Sequence, residues 1–346
     1  MNPMYVDDTA PPPRDRWKYL RLAWRIVRAC TRVLLKEIRL SRRSDTLRIE
    51  DGTTLQPLTR AVMYRLAFVP VIGVIFVAAL VFVGTHPPRV VIEPNESTIH
   101  TLYYDPVNLI SSDGTQLEGM IFPLLDARRV IEHREKVLRE RFPAVILVHD
   151  YGQTPQQMLP LVRPLHDAGY VVLVVGVRGR GTERQVGQTF GIREAMDVRA
   201  AIEMLRRRAL INAGQISVVG VGSGASAALL ALRDDPLLAA VVLLNPIQSG
   251  AEAIKNFIGP AQDWLDFLRP LCKWTFEICY DVDVDEINLS RHEELMKERA
   301  VLTIEVRDSN PANTRSADLR AMCTFLDEHV KQLQPVNADL RTPDGR

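Results

Sequence analysis

A cluster of small residues near the middle of the chain has the spacing of a reactive turn. Residues 216–226 read ISVVGVGSGAS, which predicts a buried strand, a tight turn and the start of a helix. Such a turn can present a nucleophile at its apex, where the strand meets the helix. Gly220, Gly222 and Gly224 alternate through this turn, so the apex position is Gly222, which has no side chain. Ser223 follows one position later.

Alternating strands and helices must position this turn. Apolar runs predict buried strands, amphipathic runs between them predict helices, and an Asp113-Gly114 turn predicts a hairpin. Strands that are apolar on both faces and separated by helices form mostly parallel sheets covered on both faces. The predicted hairpin spans 106–124, the strands span 144–150, 170–177, 215–221, 239–246 and 300–308, and the helices span 126–142, 154–169, 192–209 and 225–233.

Four stretches carry a resemblance to a known family. They are SSDGTQLEGMIF, AVILVHDYGQTPQQMLPLVRPLHDAGYVVLVVGVRGRG, TFGIREAMDVRAAIEMLRRRALINAGQISVVGVGSGASAALLAL and AVLTIEVRD. In this order and spacing, residues 106–330 resemble the α/β-hydrolase family, in the branch near the prolyl oligopeptidases and dienelactone hydrolases. The resemblance implies an α/β-hydrolase-like domain over 106–334, with a possible cap insertion at 250–298 and a tail at 335–346.

The same resemblance implies that the nucleophile position is empty. The family's turn reads G-x-S-x-G, and the matching residues 220–224 place Gly222 where the serine stands. A shift by one residue would make Ser223 the nucleophile, but it would also place Val221 at a crowded position reserved for small residues. Gly222 at the apex is therefore the better alignment.

The other catalytic positions also depart from the family pattern. The loop matching the family's oxyanion loop is His149-Asp150-Tyr151-Gly152, where a glycine is usual in place of Asp150. A carboxylate there opposes the stabilisation of a developing oxyanion. Asp308 matches the family's acid, and it can equally be a turn residue at the end of a strand. No histidine matches the base, because the chain after Asp308 leads into a final helix.

These departures favour a catalytically inactive protein that binds or acts as a scaffold. The alternative is an active serine hydrolase, resembling an esterase or a peptidase, that uses Ser223. We expect no cofactor, because the glycines of residues 220–224 lack dinucleotide-binding spacing. We expect no metal, because the acidic run 281–286 lacks the glycine of a calcium loop and no cysteines have zinc-binding spacing.

An uncharged run precedes the hydrolase-like domain. The nineteen residues from Leu66 to Gly84 contain no charged side chain and are followed by two prolines. A helix of about 20 apolar residues spans the hydrocarbon core of a bilayer. We therefore predict a single transmembrane helix at 66–84, followed by a linker at 85–105.

Charge around this run predicts its orientation. Residues 1–65 contain fourteen Lys and Arg against seven Asp and Glu, and Arg60 and Arg65 lie directly before the run. Arg89 is the one Lys or Arg between the run and Asp105. Positive charge stays on the cytoplasmic side, so residues 85–346 are expected outside, on the periplasmic face of an inner membrane. Cys272, Cys279 and Cys323 then lie outside and allow one disulfide, such as Cys272–Cys279.

The arm at 1–65 predicts an amphipathic basic helix. Basic residues recur every three or four positions between residues 14 and 43, beside a second, apolar stripe. Such a helix can lie on anionic lipid or dock against the membrane segment of a partner subunit, and both interpretations fit. Its apolar content argues against nucleic acid. The residues that define the two stripes include Trp17, Trp24, Arg21, Arg25, Arg28 and Arg32.

Overall fold

A computed structural model gives the fold of most of the 346-residue chain. It describes residues 70–71, 73–86, 102–124, 141–179, 186–258, 267–306, 311 and 314–332. Two compact units are distinguished: Met1–Val81 with Pro270–Val282, and Phe82–Arg269 with Asp283–Arg346. The second unit contains the sheet and the site described below.

Seven strands and seven α-helices make up the described secondary structure outside the N-terminal segment. The strands are β1 Asp105–Ile110, β2 Gln116–Phe122, β3 Phe142–Val148, β4 Val171–Val175, β5 Ile211–Val221, β6 Ala240–Leu244 and β7 Val301–Ile304. The helices are α1 Leu159–Asp167, α2 Glu194–Arg206, α3 Ser223–Asp234, α4 Gly250–Ile258, α5 Arg269–Tyr280, α6 Glu293–Glu298 and α7 Ser316–Leu326. Short 3₁₀ turns lie at Pro155–Met158, Val284–Ile287 and Leu289–His292, and a π-helical turn at Asp327–Lys331 follows α7.

The strands form one mixed sheet in the order β1-β2-β4-β3-β5-β6-β7. β2 pairs antiparallel with β1 and β4, while the remaining neighbours are parallel. β3 and β5 are adjacent although 62 residues separate Val148 from Ile211 in the sequence. Because adjacent parallel strands end at the same sheet edge, the loops after β3 and β5 meet there.

Helices cover both faces of this sheet, as the apolar pattern predicts. Alternate residues of a strand point to opposite faces, so a strand buried on both sides needs apolar residues throughout. In β3, Ile146 packs in the same cluster as Leu229 of α3. Its neighbour Leu147 packs in the second cluster, with Leu165 of α1 and Leu326 of α7.

Several predicted boundaries differ from the structure, among them those at Phe142 and at the start of β5. The prediction of a helix that ends at Phe142 is wrong at that residue, because Phe142 begins β3 and pairs with Ile211. Pro143 follows, and a residue before proline is disfavoured in the α conformation. β5 also begins at Ile211 rather than at residue 215, after a register shift between Phe142 and Ala144. The rest of the predicted helix, residues 125–140, lies outside the described residues.

The predicted membrane segment is described in part. Residues 70, 71 and 73–85 are helical, and residues 66–69 and 72 are not among the described residues. Within the part of the chain that the structure describes, no helix combines the length and the apolar character needed to cross a bilayer. The basic arm, with Trp17, Trp24 and its arginines, lies outside the described residues altogether.

The cysteine pairing allowed by the sequence is wrong. Cys272, Cys279 and Cys323 are free thiols. Cys272 and Cys279 both belong to α5, where seven residues correspond to a rise of about 10 Å. A disulfide needs Cα atoms within about 7 Å, so an intact helix excludes this bond.

Candidate functional site

The turn between β5 and α3 is a one-residue connection. β5 ends at Val221, Gly222 has φ 54° and ψ −113°, and α3 begins at Ser223. This left-handed φ is cheap for glycine and strained for other residues. Gly224 packs so closely on the end of β3 that a Cβ on it would lie 2.6 Å from the carbonyl oxygens of Val148 and His149. Glycine at these positions therefore follows from backbone conformation and close packing.

The carboxyl group of Asp150 lies directly over the apex. Its Oδ1 accepts the backbone N–H of Tyr151 at 2.6 Å and that of Ser223 at 2.8 Å. A Cβ built on Gly222 would overlap the same carboxyl group, with Oδ2 2.5 Å away. Asp150 therefore fills the space in which an apex side chain would stand, and it uses two amides that point into that space.

The environment of Asp150 acts on its charge in two directions. Burial raises the pKa of Asp150, while hydrogen bonds from the Ser223 and Tyr151 amides and from the Ser223 side chain act to lower it. The N-terminus of α3 adds a further interaction that favours negative charge. Asp150 thus occupies the position at a helix N-terminus where an anion would otherwise bind.

His149 holds the loop that carries Asp150. The amide of Val177 donates to Nε2 at 3.3 Å, so the ring proton lies on Nδ1, which bonds the carbonyl oxygen of Asp150 at 2.8 Å. The imidazole is 1% exposed, and both of its nitrogens are engaged. Its role here is to join the ends of β3 and β4.

Gln188 joins two loops and the helical residue Thr85 around the same site. Its Oε1 accepts the Gly152 amide at 3.0 Å, and its Nε2 donates to the carbonyl oxygen of Arg178. The backbone N–H of Gln188 donates to the carbonyl oxygen of Thr85 at 2.9 Å. The loop after β3 is thereby fixed relative to the loop after β4 and to Thr85.

A buried carboxylate organises the loop before α2. Glu194 accepts the amides of Thr189 and Gly191 and the hydroxyl of Thr189, all at 2.7–2.9 Å. Burial raises the pKa of Glu194, while the bonds from Thr189 and the charge of Arg178 act to lower it. The loop in turn places Phe190, whose φ is 56°, with its ring centroid 4.9 Å from that of Tyr151.

Arg178 forms a buried ion network beneath these loops. Its Nη2 bonds Oδ1 of Asp197 at 2.6 Å, its Nε bonds Oδ2, and its Nη1 bonds Asp113 of the β1–β2 hairpin at 2.7 Å. The side chains of Arg178 and Asp197 are fully buried. Burial acts to raise the pKa of Asp113, but bonds from Thr115 and Arg178 outweigh it and lower that pKa to about 2. The hairpin is thereby tied to the loop after β4.

A cleft of about 430 Å³ opens above the apex. Residues from five loops and from the start of α4 line it, and three of these residues carry a carboxyl group: Asp150, Glu252 and Glu305. The other lining residues are Tyr151, Phe190, Gly222, Asn245, Pro246, Ile247, Gln248, Ala253 and Val306. Its volume lies within the usual range of small-molecule sites.

The sequence did not single out Asn245, Glu252 or Glu305. Asn245 has φ 46° and bonds both the amide and the carbonyl oxygen of Val306, so it joins the ends of β6 and β7 beside Glu305. Glu252 accepts the Gln248 amide at the start of α4. A polar residue directly after a buried parallel strand, as in LLNP at 243–246, is the signal that could have identified Asn245.

The remaining candidate residues are not brought together. Ser223 is 6% exposed and is not among the described residues that line the cleft. None of the described histidines lines it either; His329, for example, bonds the Phe325 carbonyl oxygen within its own helical turn. Asp308 lies outside the described residues. The described residues also contain no group of three or more His, Cys, Asp or Glu placed to hold a metal ion.

The chain is similar to solved structures of other proteins. The esterase Pf2001 of Pyrococcus furiosus superposes with a TM-score of 0.50 at 19% identity, covering 70% of this chain and 99% of the esterase. The α/β hydrolase GrgF of Penicillium sp. sh18 gives 0.48 at 14% identity, over 66% and 100%. Oligopeptidase B of Leishmania major gives 0.44 at 12% identity, over 67% and 37%. No family model and no curated protein matches the sequence.

The second unit therefore has an α/β-hydrolase-like fold, a mixed and mostly parallel sheet with helices. At this level of identity the likeness establishes the fold alone. Within that fold, a glycine stands at the strand-to-helix apex, and a carboxyl group from the neighbouring loop occupies the space above it.

Proposed function

We propose that this protein is a membrane-anchored member of the α/β-hydrolase fold class that has no hydrolytic activity. Its outer domain acts as a binding or scaffold subunit of a membrane complex. The observation that supports this proposal most strongly is the carboxyl group of Asp150, which lies over Gly222 and bonds the amides of Tyr151 and Ser223.

That arrangement opposes acyl transfer on electrostatic grounds. Hydrolysis through a tetrahedral intermediate needs N–H donors that are free to bind a developing oxyanion, and losing one donor costs about 10²–10³ in rate. Here both amides already bond an acidic side chain of the same chain. A developing oxyanion would have to displace the Asp150 carboxyl group before these amides could stabilise it.

Ser223 is the residue on which the alternative function depends. Its hydroxyl bonds Asp150, and an active serine hydrolase would need a base between this serine and an acid. However, none of the described histidines lines the cleft to act as the base. The base therefore has no occupant among the described residues, and the residue at the apex is Gly222, which favours the inactive protein.

Labelling with a fluorophosphonate probe separates the two functions. We expect the purified full-length protein to remain unlabelled under conditions in which an active serine hydrolase reacts completely. Ser223→Ala and the matched control Ser226→Ala, a second buried serine of α3, should behave like the original protein. Labelling that Ser223→Ala abolishes and Ser226→Ala preserves would establish a serine hydrolase and refute the proposal.

Exposed apolar side chains support the membrane anchor. In the helical residues 73–85, Val77 and Val81 are buried, whereas Val74, Ile75, Phe82 and Val83 are 61–68% exposed. Large exposed apolar side chains favour contact with a membrane or another protein. Together with the uncharged run 66–84 and the arginines before it, this surface favours a span with the N-terminus in the cytoplasm.

The basic arm is proposed to dock a membrane partner. Aromatic anchors dominate buried contacts, so Trp17→Ala combined with Trp24→Ala should release a co-purifying subunit while the protein stays in the carbonate-resistant membrane fraction. Fractionation followed by identification of the co-purified subunits measures both effects. Extraction of the unaltered protein by carbonate would refute the anchor, and an unchanged partner in the double variant would refute the docking role of the arm.

A further inference from the structure

The ionisable side chains described in the lining of the cleft above Gly222 are all acidic. Asp150, Glu252 and Glu305 contribute carboxyl groups to its lining, and no lining residue among those described is Lys, Arg or His. A concave site whose walls carry charge of a single sign attracts ligands of the opposite sign and excludes those of the same sign. The lining therefore favours a cation.

Asp150 also removes the donors that would bind an anion. The amides of Tyr151 and Ser223 both bond Oδ1 of Asp150, so a ligand carboxylate or phosphate would have to displace that side chain before it could use them. The Ser223 hydroxyl bonds the same carboxyl group. The base of the cleft consequently offers acceptors rather than donors.

The rest of the lining suits an amine attached to an apolar body. The rings of Tyr151 and Phe190 lie 4.9 Å apart beside the apex, and aromatic faces attract cations. Ile247, Ala253 and Val306 add aliphatic surface. A primary ammonium group supplies three hydrogen-bond donors, which match carboxylate acceptors better than a quaternary ammonium group, which has none.

We propose that this cleft binds a small primary amine with an apolar body, the ammonium group lying among the carboxyl groups of Asp150, Glu252 and Glu305. The inference rests on the proposed function, because it assigns the cleft to binding without turnover. The cleft volume of about 430 Å³ is within the range of sites that bind small molecules.

Three probes of the same shape test the ligand class. They are 3-phenylpropylamine, 3-phenylpropanol and 3-phenylpropionate, titrated calorimetrically into the full-length protein in lipid nanodiscs, with empty nanodiscs as the reference. We expect the dissociation constant of the amine to be at least about tenfold lower than that of the alcohol, because charge-assisted hydrogen bonds are the stronger ones. The propionate should show no binding.

Glu305→Gln localises the site, because Glu305 is an exposed cleft residue at the end of β7. This substitution should weaken binding of the amine about three- to tenfold and leave binding of the alcohol unchanged. Glu298→Gln, an exposed carboxyl at the end of α6 that does not line the cleft, is the matched control and should change neither. Equal binding of amine and alcohol, preferred binding of the propionate, no binding of any probe, or equal effects of the two variants would overturn the proposal.

The result of the probe titrations can be distinguished from the result of the fluorophosphonate labelling. A protein that reacts with the fluorophosphonate but prefers the amine refutes the inactive function and leaves the ligand class standing. An unreactive protein without amine preference refutes the ligand class alone.

Discussion

Gly222→Ala is expected to lower the free energy of unfolding by about 3 kcal/mol. Two costs contribute to this loss. Alanine is strained at φ 54°, and its Cβ overlaps the carboxyl group of Asp150, which must then leave the Tyr151 and Ser223 amides. Chemical denaturation of the full-length protein, followed by circular dichroism, measures the change.

Two further variants separate these costs. Gly169 has φ 85°, and no neighbouring atom lies within 4 Å of the position that a Cβ would take, so Gly169→Ala carries the strain without the overlap and should cost about 1 kcal/mol. In an Asp150→Ala background, Gly222→Ala should also cost only about 1 kcal/mol. Additive effects of Gly222→Ala and Asp150→Ala would show that Asp150 does not occupy the space above the apex.

Arg178→Met is expected to destabilise the protein by about 3–5 kcal/mol, because it leaves the fully buried carboxylate of Asp197 without its counter-charge. It also releases Asp113, so the β1–β2 hairpin loses its bond to the loop after β4. The same denaturation experiment measures the loss.

Arg163→Met is the matched control for this prediction. Arg163 and Asp167 form an exposed pair one turn apart in α1, with side chains more than half exposed. Such pairs contribute at most about 0.5 kcal/mol. If Arg178→Met cost no more than Arg163→Met, the buried network would have no structural role.

Arg178→Lys should cost less than Arg178→Met, because the positive charge remains although the geometry that bonds two carboxylates is lost.

Local sequence patterns predicted most of the fold. The runs AVILV, YVVLVV and ISVVGV are apolar at nearly every position, which only a sheet covered on both faces can bury. The Asp113-Gly114 turn and the glycines of the strand-to-helix turn could also be predicted from the sequence, because each meets a conformational requirement of its own position. The start of β5 was missed because Ile211 becomes a strand residue only through its pairing with Phe142.

The cleft could be predicted only in part. The composition of residues 149–152 and 220–224 identified the two loops and the missing apex side chain. Glu252 and Glu305 were not identified, because acidic residues near helix starts and strand ends are common and their convergence depends on how α4 and β7 lie at the sheet edge. A stretch such as NPIQSGAE gives no local sign of facing a cleft.

By itself, the sequence determined that Gly222 has no side chain with which to react and that a carboxyl group stands at position 150. Both follow from residue identity. Only the tertiary structure decided that these facts concern the same place. Asp150 and Ser223 are 73 residues apart, and they meet because β3 and β5 are parallel neighbours whose carboxyl ends share one edge. At that edge a short acidic side chain reaches the space that the glycine leaves open, and the N–H groups of Tyr151 and Ser223 hold it there.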